Sequence, residues 1–285
     1  MQHVKYIEDY LLDSILFKAK NTNNTNKIKM TIIDEYLFYQ EKYAKKFGKN
    51  KTVVLMQVGS FHEAYATDER GPDLKELSDV LNLICTKKDK KKKEVSTKNP
   101  YMLGFPSVAF EKYIKILVNN GYTIPIIDQV TPPPEPKREL TQIISPGTYI
   151  SENLAPEHNN VMSLFIEDEV QKDGSVLICI GMSVIDLSTG TSTIYEVISK
   201  HDDDMLASDE AVRFIHSCNP KEITIIRKKT DHPNVLNKSK LISYLELDEK
   251  HYIYTEKINK AWFKISYQNS FFLKIFNDIG LYSSA

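Results

Sequence analysis

The 285-residue sequence predicts a mixed α/β protein of two units followed by a helical tail. Three observations predict it. Short apolar runs alternate with amphipathic stretches between residues 30 and 148, the alternation resumes after a proline-rich stretch, and residues 246–285 carry apolar residues at helical spacing.

In the first unit, residues 31–47 read as a helix. Ile33, Leu37, Ala44 and Phe47 fall near one face, with Tyr36 and Tyr43 beside them. The run Val53-Val54-Leu55-Met56 reads as the heart of a strand over 52–58, with Gly59-Ser60 as its break. Pro72 opens a short helix at the position where its missing N–H costs nothing, and Leu74, Leu77 and Leu81 give that helix its stripe. Residues 82–86 read as a strand. Ser107 reads as the N-cap of a helix to Asn120, stopped by Gly121, with Phe110, Tyr113, Ile114 and Leu117 on its buried face. Residues 123–127 read as a strand.

The segment Thr131-Pro132-Pro133-Pro134-Glu135-Pro136-Lys137 and the sequence to about Glu157 separate this unit from the next. There, residues 176–185 and 191–197 flank Ser188-Thr189-Gly190 and read as a β-hairpin, 208–217 as a helix and 222–226 as a strand. In the tail, Phe263, Phe271, Ile275 and Ile279 set the helical spacing. Ahead of the first unit, residues 6–20 read as a helix with Ile7, Leu11 and Ile15 on one face. The polar tract at 21–26 reads as a linker. The domain plan is thus 1–29 as an extension, 30–148, 149–245 and 246–285.

A net charge of −1 argues against a dedicated nucleic-acid coat protein and leaves room for a local basic patch. No apolar run approaches the roughly 20 residues that span a bilayer. Glu8, Asp9 and Asp13 are wrong for a secretory or transit signal. Three widely spaced cysteines, Cys85, Cys179 and Cys218, suit buried thiols in a reducing compartment, and no metal site is expected.

Several blocks carry a family resemblance. Val58-Gly59-Ser60-Phe61-His62-Glu63 resembles Met-Gly-Asp-Phe-Tyr-Glu of the MutS family's mismatch-recognition domain. In the same order follow Cys85-Thr86-Lys87-Lys88 (Leu-Thr-Lys-Arg), Tyr101-Met102-Leu103-Gly104-Phe105-Pro106 (Pro-Met-Ala-Gly-Ile-Pro) and Leu117-Val118-Asn119-Asn120-Gly121-Tyr122 (Leu-Val-Asn-Gln-Gly-Glu). Asp128-Gln129-Val130 and Ile144-Ser145-Pro146-Gly147-Thr148 are similar to Glu-Gln-Ile and Val-Thr-Pro-Gly-Thr. In the second unit, Asp186-Leu187-Ser188-Thr189-Gly190 and Cys218-Asn219-Pro220-Lys221-Glu222-Ile223 resemble blocks of the family's connector domain. The departures, His62 for Tyr, Ser60 for Asp and the proline-rich segment, are similar to the large branch found in giant viruses and some mitochondria.

The resemblance implies a mixed-sheet mismatch-recognition domain at 30–148, a ribonuclease-H-like connector at 149–245 and the start of a helical core at 246–285. It also implies that Phe61 wedges at a mispaired base while Glu63 hydrogen-bonds that base. A ring driven between base steps costs least where pairing and stacking are already weak, so deformability is what it reads. Stacking on a base contributes about 1–3 kcal/mol, a preference of roughly tenfold to a hundredfold. Against a base acceptor the Glu63 carboxyl must carry a proton, a state that burial against DNA favours. Lys87, Lys88 and Lys90 of the basic run at 87–93 are expected to contact phosphates beside the wedge, with Lys137 and Arg138 extending the patch.

The expected ligand is mismatched double-stranded DNA. The full-length relative implied is a dimeric ATPase using ATP and Mg, with a MutL-type partner at the connector. The segment Gly48-Lys49-Asn50-Lys51-Thr52 lacks phosphate-loop spacing, so no cofactor and no catalytic site are expected within these residues. The expected location is intracellular and soluble, at sites of DNA replication. Two alternatives stand beside this reading. One is a ribonuclease-H-like, metal-dependent nuclease using Asp186, although Asp186 is better placed to bond turn amides and Asp202, Asp203 and Asp204 to lie in a solvated loop. The other is a MutS-like scaffold that reads no mismatches, which the retained Phe-x-Glu pair argues against.

Overall fold

The structure is a computed structural model, and it describes residues 31–275 apart from 133, 135, 150–157 and 229. The helix expected at 6–20 and Ile279 of the tail lie outside the described residues.

Helix α1 (Ile32–Phe47) begins at Thr31, whose hydroxyl accepts the Asp34 amide at 3.2 Å, and it buries Ile33, Tyr36, Leu37, Tyr43 and Phe47. Gln40 is buried among them. Its amide nitrogen donates to Thr52 O and its oxygen accepts from Val54 N, both at 2.8 Å, so the helix is clamped to the chain entering the first strand. Then come β1 (Leu55–Val58), β2 (Phe61–Ala66), α2 (Leu74–Leu81), β3 (Thr86–Lys87) and β4 (Tyr101–Pro106). They are followed by α3 (Phe110–Asn119), β5 (Ile124–Gln129) and β6 (Arg138–Ile144). The sheet order is β3-β4-β2-β1-β5-β6, with β1 and β5 parallel and every other pair antiparallel. The core joins the stripes of α1, α2 and α3 to the strands, through Leu37, Leu77, Ile114 and Leu117 against Leu55, Leu103, Phe105 and Ile126.

A second sheet follows. It contains β7 (Asn160–Val170), β8 (Val176–Asp186), β9 (Ser192–Ile198), β10 (Glu222–Lys228) and β11 (Tyr252–Thr255), in the order β11-β10-β7-β8-β9. The strands β7, β8 and β9 form an antiparallel meander, while β10 and β11 extend it in parallel. Helix α4 (Leu206–Cys218) crosses between β9 and β10, and α5 (Lys238–Tyr244) between β10 and β11. Alternate residues Met162, Leu164 and Ile166 of β7 and Ile178, Ile180 and Met182 of β8 pack against Ala207, Ala211 and Ile215 of α4 and Leu241 of α5. The chain then reaches α6 (Ile265–Ile275). Polar contacts join the two units: Lys51 Nζ donates to Tyr252 O at 2.5 Å, and the Glu222 carboxylate accepts from Ser145 Oγ at 2.8 Å and Gly147 N at 3.2 Å. Among the described residues no helix is long and apolar enough to cross a membrane.

Four local expectations change. Pro72 lies ahead of α2 rather than at its first position, because Asp73 is the N-cap, its Oδ1 accepting from Lys75 N and Glu76 N at 3.0 Å. The strand at 82–86 shrinks to Thr86–Lys87, because Asn82 adopts a left-handed conformation (φ 50°) and closes α2 with its amide on Asp79 O and Ser78 O. Ser107 does not cap α3. A 3-10 turn, Ser107–Ala109, intervenes, and the Ser107 hydroxyl lies 3.1 Å from His62 Nδ1 instead. The helical reading of the tail holds only from Ile265. Upstream of it, Tyr252–Thr255 is an edge strand, paired with β10 along the ladder from Ile223 to Ile226.

Candidate nucleic-acid interface

β1 and β2 form a hairpin in which Val58 pairs with Phe61 across the two-residue turn Gly59-Ser60. Gly59 has φ 62° with open space around the position of a Cβ, so the backbone conformation selects glycine there. Ser60 has no positive φ, which is the pattern of a type II′ turn. The turn is held from both sides. Ser107 N donates to Ser60 O at 2.8 Å, Arg138 Nε donates to Gln57 O at 3.1 Å, and Gln129 N donates to Gln57 Oε1 at 2.9 Å.

Phe61, the first residue of β2, is 43% exposed at this braced tip. Strand alternation puts Phe61, Glu63 and Tyr65 on one face and His62, Ala64 and Ala66 on the other. Glu63 is half-buried, and the Tyr65 hydroxyl donates to its Oε2. Gly104 of β4 stands directly opposite Glu63. A Cβ there would come within 2.8 Å of His62 O and 2.9 Å of Glu63 Cγ, so the glycine makes room for the carboxylate.

His62 points inward. It is 6% exposed, with its ring 4.8 Å from that of Phe110 and 6.1 Å from that of Phe105. Its Nε2 lies 3.4 Å from Asp128 Oδ1. Burial pushes the imidazole below its ordinary pKa, and the Asp128 hydrogen bond opposes the shift. His62 therefore supports the hairpin from behind.

The lysine run lies elsewhere. Phe61 pairs with Pro106 at one end of β4, whereas Lys87 pairs with Tyr101 at the other. Five residue steps at about 3.4 Å put them about 17 Å apart along the strand. The basic loop is therefore not beside the exposed ring, contrary to the expectation from the order of the blocks. The loop is organised around buried Asn99, whose side chain accepts from Asp89 N at 2.7 Å and donates to Glu94 O at 2.9 Å. Lys87 Nζ donates to Lys92 O and Lys93 O, while Lys88 and Lys90 are exposed. Arg138 does not extend that patch. Its side chain is 8% exposed and faces Glu35 (3.9 Å) and the hairpin turn.

Asp186 behaves as a turn former. One oxygen accepts from Asn159 N (3.0 Å) and Ser188 N (2.9 Å), and the other from His158 Nδ1 (2.9 Å) and Thr189 Oγ1 (3.0 Å). The His158 contact and then the Ser188 amide hold this carboxyl well below the usual range. Asp202, Asp203 and Asp204 are exposed. Among the described residues no group of three His, Cys, Asp or Glu side chains is arranged to hold a metal. The Gly48–Thr52 segment does not shape a phosphate loop either: Thr52 Oγ1 turns back onto Gly48 O at 2.7 Å, and the Lys51 ammonium is engaged by Tyr252 O.

Comparison with known proteins identifies the first unit. The family model of MutS domain I matches residues 38–153. A mutS homologue of Acanthamoeba polyphaga mimivirus, named as a DNA mismatch repair protein, is 34% identical over 97% of this chain and 26% of its own length. The DNA mismatch repair protein MutS of Chlorobium phaeobacteroides is 31% identical over 69% of this chain and 20% of its own length. That of Chlorobium chlorochromatii is 30% identical over 80% and 23%. The chain belongs to the MutS family. It spans about a quarter of the length of the curated relatives it matches.

Proposed function

We propose that this chain recognises mismatched DNA in mismatch repair, with Phe61 as the wedge and Glu63 as the hydrogen-bonding partner of the displaced base. One observation carries the reading: within the residues matched to MutS domain I, an exposed ring and a carboxylate with spare acceptor capacity share one face at the tip of a braced hairpin. A braced turn favours this role, because a wedge must keep its position while DNA bends around it.

The second unit fits the connector expected at 149–245, with the edge strand β11 carrying it on to Thr255. Its antiparallel meander extended by two parallel strands supports a ribonuclease-H-like assignment. By the same reading α6 opens the helical core. The full-length protein is then a dimeric ATPase using ATP and Mg, acting at sites of replication with a MutL-type partner at the connector. Lys88 and Lys90 contact phosphates along a duplex arm away from the lesion.

The test is a titration of labelled duplexes, one with a single mispair and one fully paired, at several salt concentrations. Binding by these residues alone is expected to be weak, in the range of about 10⁻⁴–10⁻⁶ M near physiological salt, steeply salt-dependent and tighter for the mismatched duplex. Equal affinity for both duplexes at every salt concentration would refute mismatch reading. Nanomolar, salt-insensitive binding would show that no further DNA-holding part is needed.

A further inference from the structure

We propose that Tyr65 is a positioning residue that sets the Glu63 carboxyl for its base contact; this rests on the reading of Phe61 and Glu63 given above. Tyr65 stands two residues beyond Glu63 on the same face of β2, and its hydroxyl donates to Glu63 Oε2. The Glu63 carboxylate makes no other hydrogen bond among the described residues, so Oε1 keeps its full capacity.

The phenol itself is fixed. Tyr65 is 4% exposed, and its ring meets that of Tyr36 on α1 edge-on with centroids 5.2 Å apart. Tyr36 is anchored in turn by its own hydroxyl on Val54 O at 3.1 Å. Burial, and then the bond to Glu63, push the Tyr65 hydroxyl far above its ordinary pKa, against the opposing influence of Arg138. It therefore remains a donor throughout the neutral range. Gly104 clears the space beneath the Glu63 side chain.

Two consequences follow for recognition. A glutamate on an open strand end has three rotatable bonds, and a donor fixed by the core holds it in one arrangement before DNA arrives. The bond also distinguishes the two oxygens. With Oε2 engaged as an acceptor, a proton taken from solvent resides on Oε1, the oxygen left for the base acceptor. Tyr65 thereby decides which oxygen donates to DNA.

The experiment is a double-mutant cycle on the 285-residue chain, using wild type, Tyr65→Phe, Glu63→Ala and the double variant. Each is titrated at low salt against a duplex with one mispair and its matched counterpart, with thermal unfolding measured alongside. Tyr65→Phe keeps the ring and its packing. It is expected to lower the mismatch-over-match affinity ratio about fivefold, the scale of one hydrogen bond. In the Glu63→Ala background the same change is expected to leave the ratio where it is, an outcome that a general packing defect would not give. An unchanged ratio in Tyr65→Phe, or an equal loss with and without Glu63, would overturn the proposal. Phe61→Ala in the same series separates the two levels. Loss of preference there with an intact ratio in Tyr65→Phe refutes the Tyr65 role alone, and a wild-type ratio of one removes the proposal together with the reading beneath it.

Discussion

Glu63 and Asp186 each stand beside the turn of a β-hairpin, yet Glu63 accepts a hydrogen bond from one group and Asp186 from four. Both are acidic residues in blocks that resemble the same family, and their surroundings separate their roles. At Asp186 both oxygens are committed to the turn and to the chain entering β7, so the group organises backbone and has nothing left for a ligand. At Glu63 one oxygen is uncommitted, next to a ring that the core does not claim. The second unit repeats the saturated pattern deeper down. Arg227 and Asp168 form a bidentate pair at 2.8 and 2.9 Å, with side chains 1% and 0% exposed, and Arg227 also donates to Leu236 O at 2.7 Å. These polar groups of the second unit are committed to the fold, while at the tip of the first sheet one oxygen of the Glu63 carboxylate is left uncommitted.

The largest expected effect lies in the second unit. Asp168→Ala leaves the Arg227 guanidinium buried without its partner and should destabilise the chain by about 3–5 kcal/mol, read from denaturant unfolding. Little change in stability would mean that the saturated pattern is not what holds this sheet. Asp186→Ala should also lower the melting temperature, by less, because water can reach part of the freed turn. Neither change should alter the mismatch-over-match ratio beyond what lost folded protein explains. A specific loss of discrimination would erase the contrast with Glu63.

Changes at the first tip should do the reverse. Glu63→Gln should change stability little, because the near-isosteric amide keeps an oxygen that can accept from the Tyr65 hydroxyl. It should keep or raise affinity for all duplexes while blurring discrimination, since the amide donates a hydrogen bond without first taking up a proton. Affinity ratios for Glu and Gln that coincide at every pH from 6 to 8 would exclude a proton-dependent base contact. Neutralising Lys88 and Lys90 should weaken binding to both duplexes alike and flatten the salt slope by up to about 2 units, with the ratio preserved. A change confined to mismatched DNA would place the loop at the lesion after all.

The smallest effect is a pH dependence of stability from His62. Its folded-state pKa is lowered by burial, so the unfolded chain holds the proton more tightly. The stabilisation is fully present above the ordinary imidazole pKa and is lost as pH falls below it. Melting temperature should therefore decline between pH 7 and 5.5, and His62→Gln should make the decline shallower. Parallel declines in both proteins would show that His62 does not titrate with folding.

Much of this contrast is legible in the order of the amino acids. Leu74, Leu77 and Leu81 announce α2 because the stripe matches the helical period and is buried, and the apolar run of β8 before Ser188-Thr189-Gly190 announces the hairpin with β9, although β9 itself lies exposed at the sheet edge. The Phe-x-Glu pair is legible through its block. Strand β2 is not, because Phe61–Ala66 mixes a charge, a histidine and two alanines, although Gly-Ser between apolar flanks is itself a two-residue hairpin signal. Strand β4 is hidden by Gly104 and Pro106, and β7 by the acidic stretch that contains the buried Asp168. The place of the lysine loop depends on strand direction: β3 and β4 run so that Lys87 meets Tyr101 rather than Pro106, a fact no local pattern encodes. Asn99 and Tyr65 carry no signal of their own for the same reason, since their partners are set by loop closure and by alternation along a strand without a clear apolar period.

If discrimination resides in the exposed ring at the tip of β2, then removing that ring must abolish it. Phe61→Ala does so without touching the core, and the melting temperature should stay near that of the wild type. The deciding measurement is the ratio of affinities for a singly mispaired and a fully paired duplex, wild type against Phe61→Ala, under identical low-salt conditions. The ratio is expected to fall to about one while weak general binding through phosphate contacts persists. An undiminished preference in the folded variant would refute the wedge.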